Sequence, residues 1–169
     1  FSDAYDYFPA WDPRDNGHGE WNALYDNVML RRATHVWVDH CTFDDGNRPD
    51  ASAPMLLGQR MQHHDGLLDI TRQSNWITVS WNHLRNHDKT TLVGNGDERT
   101  EDAGYLKVSF HHNWYQGVRE RAPRVRFGQV HLYNNLYESG KDDAYPFAYS
   151  IGVGFQSRII SHHNAWVTP

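Results

Sequence analysis

Three aspartates, one lysine and a knot of arginines are the residues here whose types and spacing could do chemistry. In the stretch 62–89, QHHDGLLDITRQSNWITVSWNHLRNHDK, Asp65 and Asp69 lie four residues apart and the run closes on Lys89. The apolar residues Leu68, Ile70, Ile77 and Val79 predict strands, on which residues four apart share a face. Carboxylates held side by side raise one another's pKa unless a cation or a shared proton lies between them. A hard-cation site follows as the expectation, calcium being the ion whose oxygen preference fits, and its rival is a pair of solvated strand-face acids. A second cluster is RAPRVRFG (121–128), in which alternation turns Arg124 and Arg126 the same way and Pro123 aims Arg121. Anion binding is expected of Arg121 and Arg126, ordinary surface ion pairs of Arg119 and Arg124.

The elements that must position these residues are written as a repeat. VWVDHCTF (36–43), ITVSWNHL (77–84), VSFHHNWY (108–115), VHLYNNLY (130–137) and IISHHNAW (159–166) align without gaps. Each opens on Val or Ile and ends on a large apolar or aromatic residue, and the sixth position reads Cys41, Asn82, Asn113, Asn135, Asn164. No convincing helical period occurs, so the pattern predicts a parallel β-helix, with asparagines stacked at one bend and bonding through their amides. The longest step between corners contains 44–62, polar with Gly and Pro, which predicts an insertion projecting from the stack to build a cleft. Residues 1–20 read as a loop packed by its rings. Counted back from the corners, Asp26 lies 15 residues before Cys41, Asp65 and Asp69 lie 17 and 13 before Asn82, and Arg121 lies 14 before Asn135. All four fall on one stripe of adjacent coils; Leu67 should then point outward between the acids, which simple alternation does not explain and for which a bulge there, or a ligand ring covering it, is the expected explanation.

The 169 residues allow a single domain, 1–169. Hydrophobic residues make up only 38%, but seven Trp, nine Tyr and seven Phe mean that rings fill the core or line a surface of the kind sugars stack on. Net charge is −5, with four arginines inside 119–126 and the acids weighted to the front. That split suits an acidic ligand held between a metal and arginines, and argues against nucleic acid. No stretch reaches the roughly 18 apolar residues of a membrane span. Cys41 is the single cysteine, which rules out an internal disulfide. The chain opens at Phe1 in mid-pattern, so a piece of a longer polypeptide is expected. Among the twelve His, the doublets His63–His64, His111–His112 and His162–His163 raise the question of zinc. Neighbours on a regular strand face opposite ways, so a doublet is not expected to chelate one ion.

The motifs WVDH (37–40), HDGLLDI (64–70), NHDK (86–89) and RAPRVRFGQVHLYNN (121–135) together resemble the calcium-dependent pectate lyases of the large β-helical family, almost end to end. The resemblance implies an all-β, right-handed parallel β-helix with an asparagine ladder, here a part of the full-length fold. It implies cleavage of polygalacturonate by β-elimination, leaving 4,5-unsaturated ends, and secretion, since plant wall polymer lies outside cells. By the family's pattern Asp26, Asp65 and Asp69 match the calcium ligands, Arg121 the catalytic base, and Lys89 and Arg126 the binders of substrate carboxylate. Val28 stands where some members carry a further aspartate, so three ligands are expected rather than four. A monomer without nucleic-acid or membrane partners is expected. The alternatives are a non-catalytic, calcium-dependent module binding acidic polysaccharide, and a metal-free pectin lyase, which the three acids disfavour. Hydrolysis on the same fold needs clustered acids, and the pairs Asp44–Asp45 and Asp142–Asp143 fall off the stripe.

Overall fold

Each eight-residue repeat becomes a strand, a sharp corner and the start of a second strand, because its Val or Ile and its terminal ring must bury while the polar corner turns. The computed structural model describes residues 1–141 and 143–169. Asp142, named above, lies outside them. The coils stack into three parallel, five-stranded sheets. The first sheet holds Val28–Arg31, Leu68–Thr71, Leu92–Val93, Arg124–Val125 and Gly152–Val153. The second holds Trp37–Asp39, Ile77–Ser80, Lys107–His111, Gln129–Tyr133 and Arg158–His162. The third holds Thr42–Phe43, His83–Lys89, Trp114–Glu120, Leu136–Glu138 and Ala165–Val167. The architecture is the expected right-handed parallel β-helix.

The corner between the second and third sheets explains the repeat. Its fifth position, His40, Trp81, His112, Asn134 and His163 in turn, has φ between 53° and 55° in every coil. This left-handed conformation reverses the chain locally, and the sixth residue then lies along the stack. Asn82 Oδ1 accepts from Cys41 N at 2.9 Å, and Asn113 Oδ1 accepts from Asn82 N and Nδ2 at 3.0 and 3.1 Å. Asn135 and Asn164 continue the ladder at 2.9–3.0 Å. Inside the coils, Tyr115 stacks on Tyr137 at 4.9 Å and Tyr137 on Trp166 at 5.1 Å. With Ile77, Val79, Leu84, Phe110 and Leu132 the two tyrosines form the core, each fully buried side chain contributing about 1.5–3 kcal/mol, while Trp166 at the end of the stack is exposed.

Four expectations change. Leu67 does not face outward: it is buried beside Leu68, and Thr90 O accepts from both Leu67 N and Leu68 N, at 3.0 and 3.2 Å. Two residues opposite one is a bulge, one of the two explanations expected for Leu67, and it turns the side chain inward. Residues 1–20 do pack by rings, with Tyr5 on His63 at 4.5 Å, but they also supply Ala10–Asp12, paired antiparallel with Glu20–Asn22. The histidine doublets at the corners do not face apart: the Nδ1 atoms of His111 and His112, and of His162 and His163, lie 3.0 Å from each other. The second residue of each is left-handed, so strand alternation does not apply. The insertion 44–62 carries the small hairpin Met55–Leu56 and Gln59–Arg60, but it does not build the cleft over the first sheet as expected: none of its residues lines that cleft, whereas Asp15, Asn16, Glu20 and Asn22 do.

Candidate functional site

The outer face of the first sheet forms the floor of a cleft of about 550 Å3, lined among others by Asp65, Asp69, Lys89, Arg121, Arg124 and Arg126. Strand register sets the row: Asp69 lies beside Met29 on one neighbouring strand, and Leu92 beside Arg124 further along. Asp26 enters from the loop before Val28–Arg31, and its Oδ1 accepts the Gly66 N–H at 2.7 Å. The expected stripe thus exists, but Asp65 reaches it from the irregular segment ahead of Leu68–Thr71 rather than by strand alternation with Asp69.

Gly66 lets the acids meet. A Cβ there would fall 2.5 Å from Asp69 Oδ1 and 2.8 Å from Asp26 Oδ1, so any side chain would drive the carboxylates apart. Asp69 Oδ1 accepts the Leu92 N–H at 2.9 Å, while Asp26 Oδ2 is buried without a hydrogen-bond partner. Burial, then repulsion from Asp65, lifts Asp26 from 3.8 to about 6. Burial, then Asp26 and Asp65, hold Asp69 well above the carboxylate range, with Arg121 pulling the other way. Negative charge is crowded here beyond what the protein's own cations balance.

The cations sit around that crowd. Lys89, at the end of His83–Lys89, brings Nζ to 3.4 Å from Asp65 Oδ1. Arg121 occupies the turn between Trp114–Glu120 and Arg124–Val125, at φ 59°, and its Nε donates to Glu120 Oε1 at 3.2 Å. Arg126 donates from Nε to Asp97 Oδ1 at 2.8 Å and from Nη1 to Gly94 O at 3.3 Å. Arg119 makes the expected surface pairs, to Asp88 at 3.0 Å and Glu120 at 3.4 Å. Arg124 departs from expectation: it faces the cleft and has no ion-pair partner among the described residues. Gly152 and Gly154 of the next coil leave room for the stems, since a Cβ would meet Arg124 Cγ at 2.9 Å and Arg126 Cγ at 3.1 Å. The alternating glycines of IGVG (151–154) were the sequence signal for this floor.

Beneath the acids lies a buried tether that the sequence reading missed. His87 Nδ1 contacts Asp45 Oδ1 at 2.6 Å, and Nε2 contacts Asp65 O at 2.7 Å. Both partners are acceptors, so both ring nitrogens donate and the imidazole is cationic. Burial opposes that charge, but the Asp45 carboxylate overcomes it and holds the His87 pKa above its ordinary value. Tyr145 donates its hydroxyl to Asp45 Oδ2 at 3.0 Å. The insertion is therefore bolted to the chain that carries Asp65. His87 sits inside NHDK and Asp45 inside an acid pair off the stripe, so each was visible and only their contact was not.

Residues 14–168 match the family model described as pectate lyase. The pectate lyase of Bacillus subtilis (strain 168) is 50% identical over 170 residues, covering all of this chain and 40% of the relative. Pectate lyase E of Dickeya chrysanthemi is 42% identical over 154 residues, 90% of this chain and 40% of that protein. A solved pectate lyase bound to hexasaccharide superimposes with a TM-score of 0.97 at 49% identity, across all of this chain and 43% of the other. The chain spans about 40% of the length of the curated relatives it matches. On repeat, fold and likeness together, the chain belongs to the pectate lyase family.

Proposed function

We propose that this chain is the catalytic portion of a secreted pectate lyase that cleaves de-esterified polygalacturonate by calcium-assisted β-elimination. The observation that carries the reading is the meeting, in one cleft, of Asp65 and Asp69 with Lys89, Arg121 and Arg126, with Asp26 hydrogen-bonded to Gly66 of the cleft lining. The acids fit calcium: their donors are all oxygen, they repel one another, and Asp26 Oδ2 is buried unpartnered. Among the described residues no group of three or more His, Cys, Asp or Glu stands close enough to hold a metal ion unaided, so the three acids fit calcium only as part of a shell that water and a substrate carboxylate complete. Bound calcium supplies charge neutralisation where the substrate becomes a dianion.

The chain's own residues do the rest. Lys89 and Arg126 hold the oxygens of the uronate carboxylate and counter the charge that grows there. Arg121, in its neutral form, takes the proton from C5, the ring carbon bearing that carboxylate. The electron pair released forms the C4–C5 double bond as the bond from C4 to the glycosidic oxygen breaks; that oxygen leaves with the bonding pair and takes a proton from water, so one fragment ends in a hydroxyl and the other in a 4,5-unsaturated ring.

The test is incubation with polygalacturonate, with and without chelator, following the ultraviolet absorbance of the unsaturated product. Absorbance that requires calcium and disappears in Arg121→Ala supports the lyase. Reducing ends without absorbance indicate hydrolysis, binding without absorbance a non-catalytic polysaccharide module, and chelator-resistant action on methylated polymer a pectin lyase.

A further inference from the structure

We propose that the His111–His112 and His162–His163 corners are bidentate sites for a first-row transition-metal ion with a taste for imidazole: copper(II), nickel(II) or zinc(II). They lie where the second sheet turns into the third, and none of the four residues lines the cleft. In each doublet the Nδ1 atoms are 3.0 Å apart and the rings stand at 89° and 90° to each other. With metal–nitrogen bonds of about 2.0–2.1 Å, that separation subtends roughly a right angle at the ion. Such a bite matches the tetragonal geometry of copper(II) and nickel(II) better than the wider tetrahedral angle.

The same local cause acts twice. The fourth repeat position ends a strand and the fifth is left-handed, at φ 55° for both His112 and His163. Two imidazoles on one strand would point to opposite faces, but at this corner they converge. Other coils carry one His or none at the two positions: Asp39–His40, Ser80–Trp81 and Tyr133–Asn134. The third doublet is a built-in contrast. His63 Nδ1 lies 2.8 Å from Asp6 O, and His64 is held between Asp50 at 2.9 Å and Asp3 at 3.2 Å, with both histidines buried.

Without metal, one Nδ1 proton lies between the two nitrogens of a corner pair. An ion takes its place when that ring carries its proton on Nε2 instead, a change of tautomer with no change of charge. His162 is placed for this form, because its Nε2 lies 2.6 Å from His131 Nε2, which can accept the proton's hydrogen bond. An outer partner of this kind orients a metal-binding imidazole. Among the described residues no third His, Cys, Asp or Glu completes a shell, so water fills the remaining positions. Trp81 stacks on His112 at 4.4 Å and 14°, which puts an emitting indole against one site.

The experiment titrates copper(II) into the whole chain held in saturating calcium, so that the cleft acids are occupied. It reads calorimetric stoichiometry, tryptophan emission and the nitrogen hyperfine pattern of the bound copper. His112→Asn and His163→Asn keep the left-handed corner, since Asn134 already stands at that position. The expected result is one copper per corner doublet with two-imidazole hyperfine structure. His112→Asn should lose one equivalent together with the quenching of Trp81, His163→Asn the other equivalent, and the double variant both. His111→Gln and His162→Gln should give the same losses without touching the corner dihedral, should an asparagine variant melt early. Undiminished copper binding in the two double variants overturns the proposal, as does absence of binding at micromolar copper.

Discussion

At the scale of single residues, the acids of the cleft are held in an arrangement that water would not tolerate. Asp26 is raised to about 6 from 3.8 by burial and by Asp65, so the calcium-free folded chain binds this proton more tightly than the unfolded chain does. Its contribution to stability is then largest below about pH 4 and is lost as pH rises from 4 to 6, with Asp69 acting in the same direction. Melting in chelator across that window should show a falling midpoint that Asp26→Asn flattens; a rising midpoint would contradict the crowding. Arg121→Ala should lower kcat by about 10²–10⁴-fold, the usual worth of a positioned base, while calorimetric calcium binding stays intact. Arg124, unpaired among the described residues and facing the cleft, should act through substrate binding. Losing one charge-assisted contact of about 1.5–3 kcal/mol, Arg124→Ala should raise KM with kcat little changed.

At the scale of elements, the insertion 44–62 is held in place by buried polar ties rather than by packing alone. Asp45→Ala leaves the His87 imidazolium buried and unpaired, which should cost about 3–5 kcal/mol in urea unfolding. Tyr145→Phe removes the hydroxyl that donates to the same carboxylate and accepts from Ala51 N at 3.1 Å, and should cost less, about 1–3 kcal/mol. The contrast between the two tests whether the charge pair or mere proximity matters. The asparagine ladder invites a similar comparison. Asn113→Ala removes the acceptor for Asn82 N and Nδ2 and the donor to Val79 O at the middle of the stack, each orphaned group costing about 1–3 kcal/mol.

Across the whole molecule, each strand of the three sheets pairs only with its neighbours in the stack, so anything else that joins two coils is a fastener. Asp26 comes from the first coil and Asp65 and Asp69 from the second, which makes the proposed calcium such a fastener. Calcium at a hundredfold excess over its Kd should stabilise the chain by about 2.7 kcal/mol, read as a melting shift that chelator reverses. A midpoint indifferent to calcium would remove the ion from between these coils.

What the amino-acid order determined by itself was the rhythm repeated five times, an inward Val or Ile, a corner that is asparagine in four of the five and a large apolar or aromatic end, and with it the solenoid and the stripe holding Asp26, Asp65, Asp69 and Arg121. These are local regularities, and composition and spacing carry them directly. The tertiary structure alone decided that Gly66 lets two carboxylates approach, that Arg124 joins the cleft, and that His87 finds Asp45 across 42 residues, and it chose the bulge between the two explanations open for Leu67. Each depends on left-handed corners, on bulges and on the register between coils. Those are settled when many side chains pack at once, and no window of the sequence contains them.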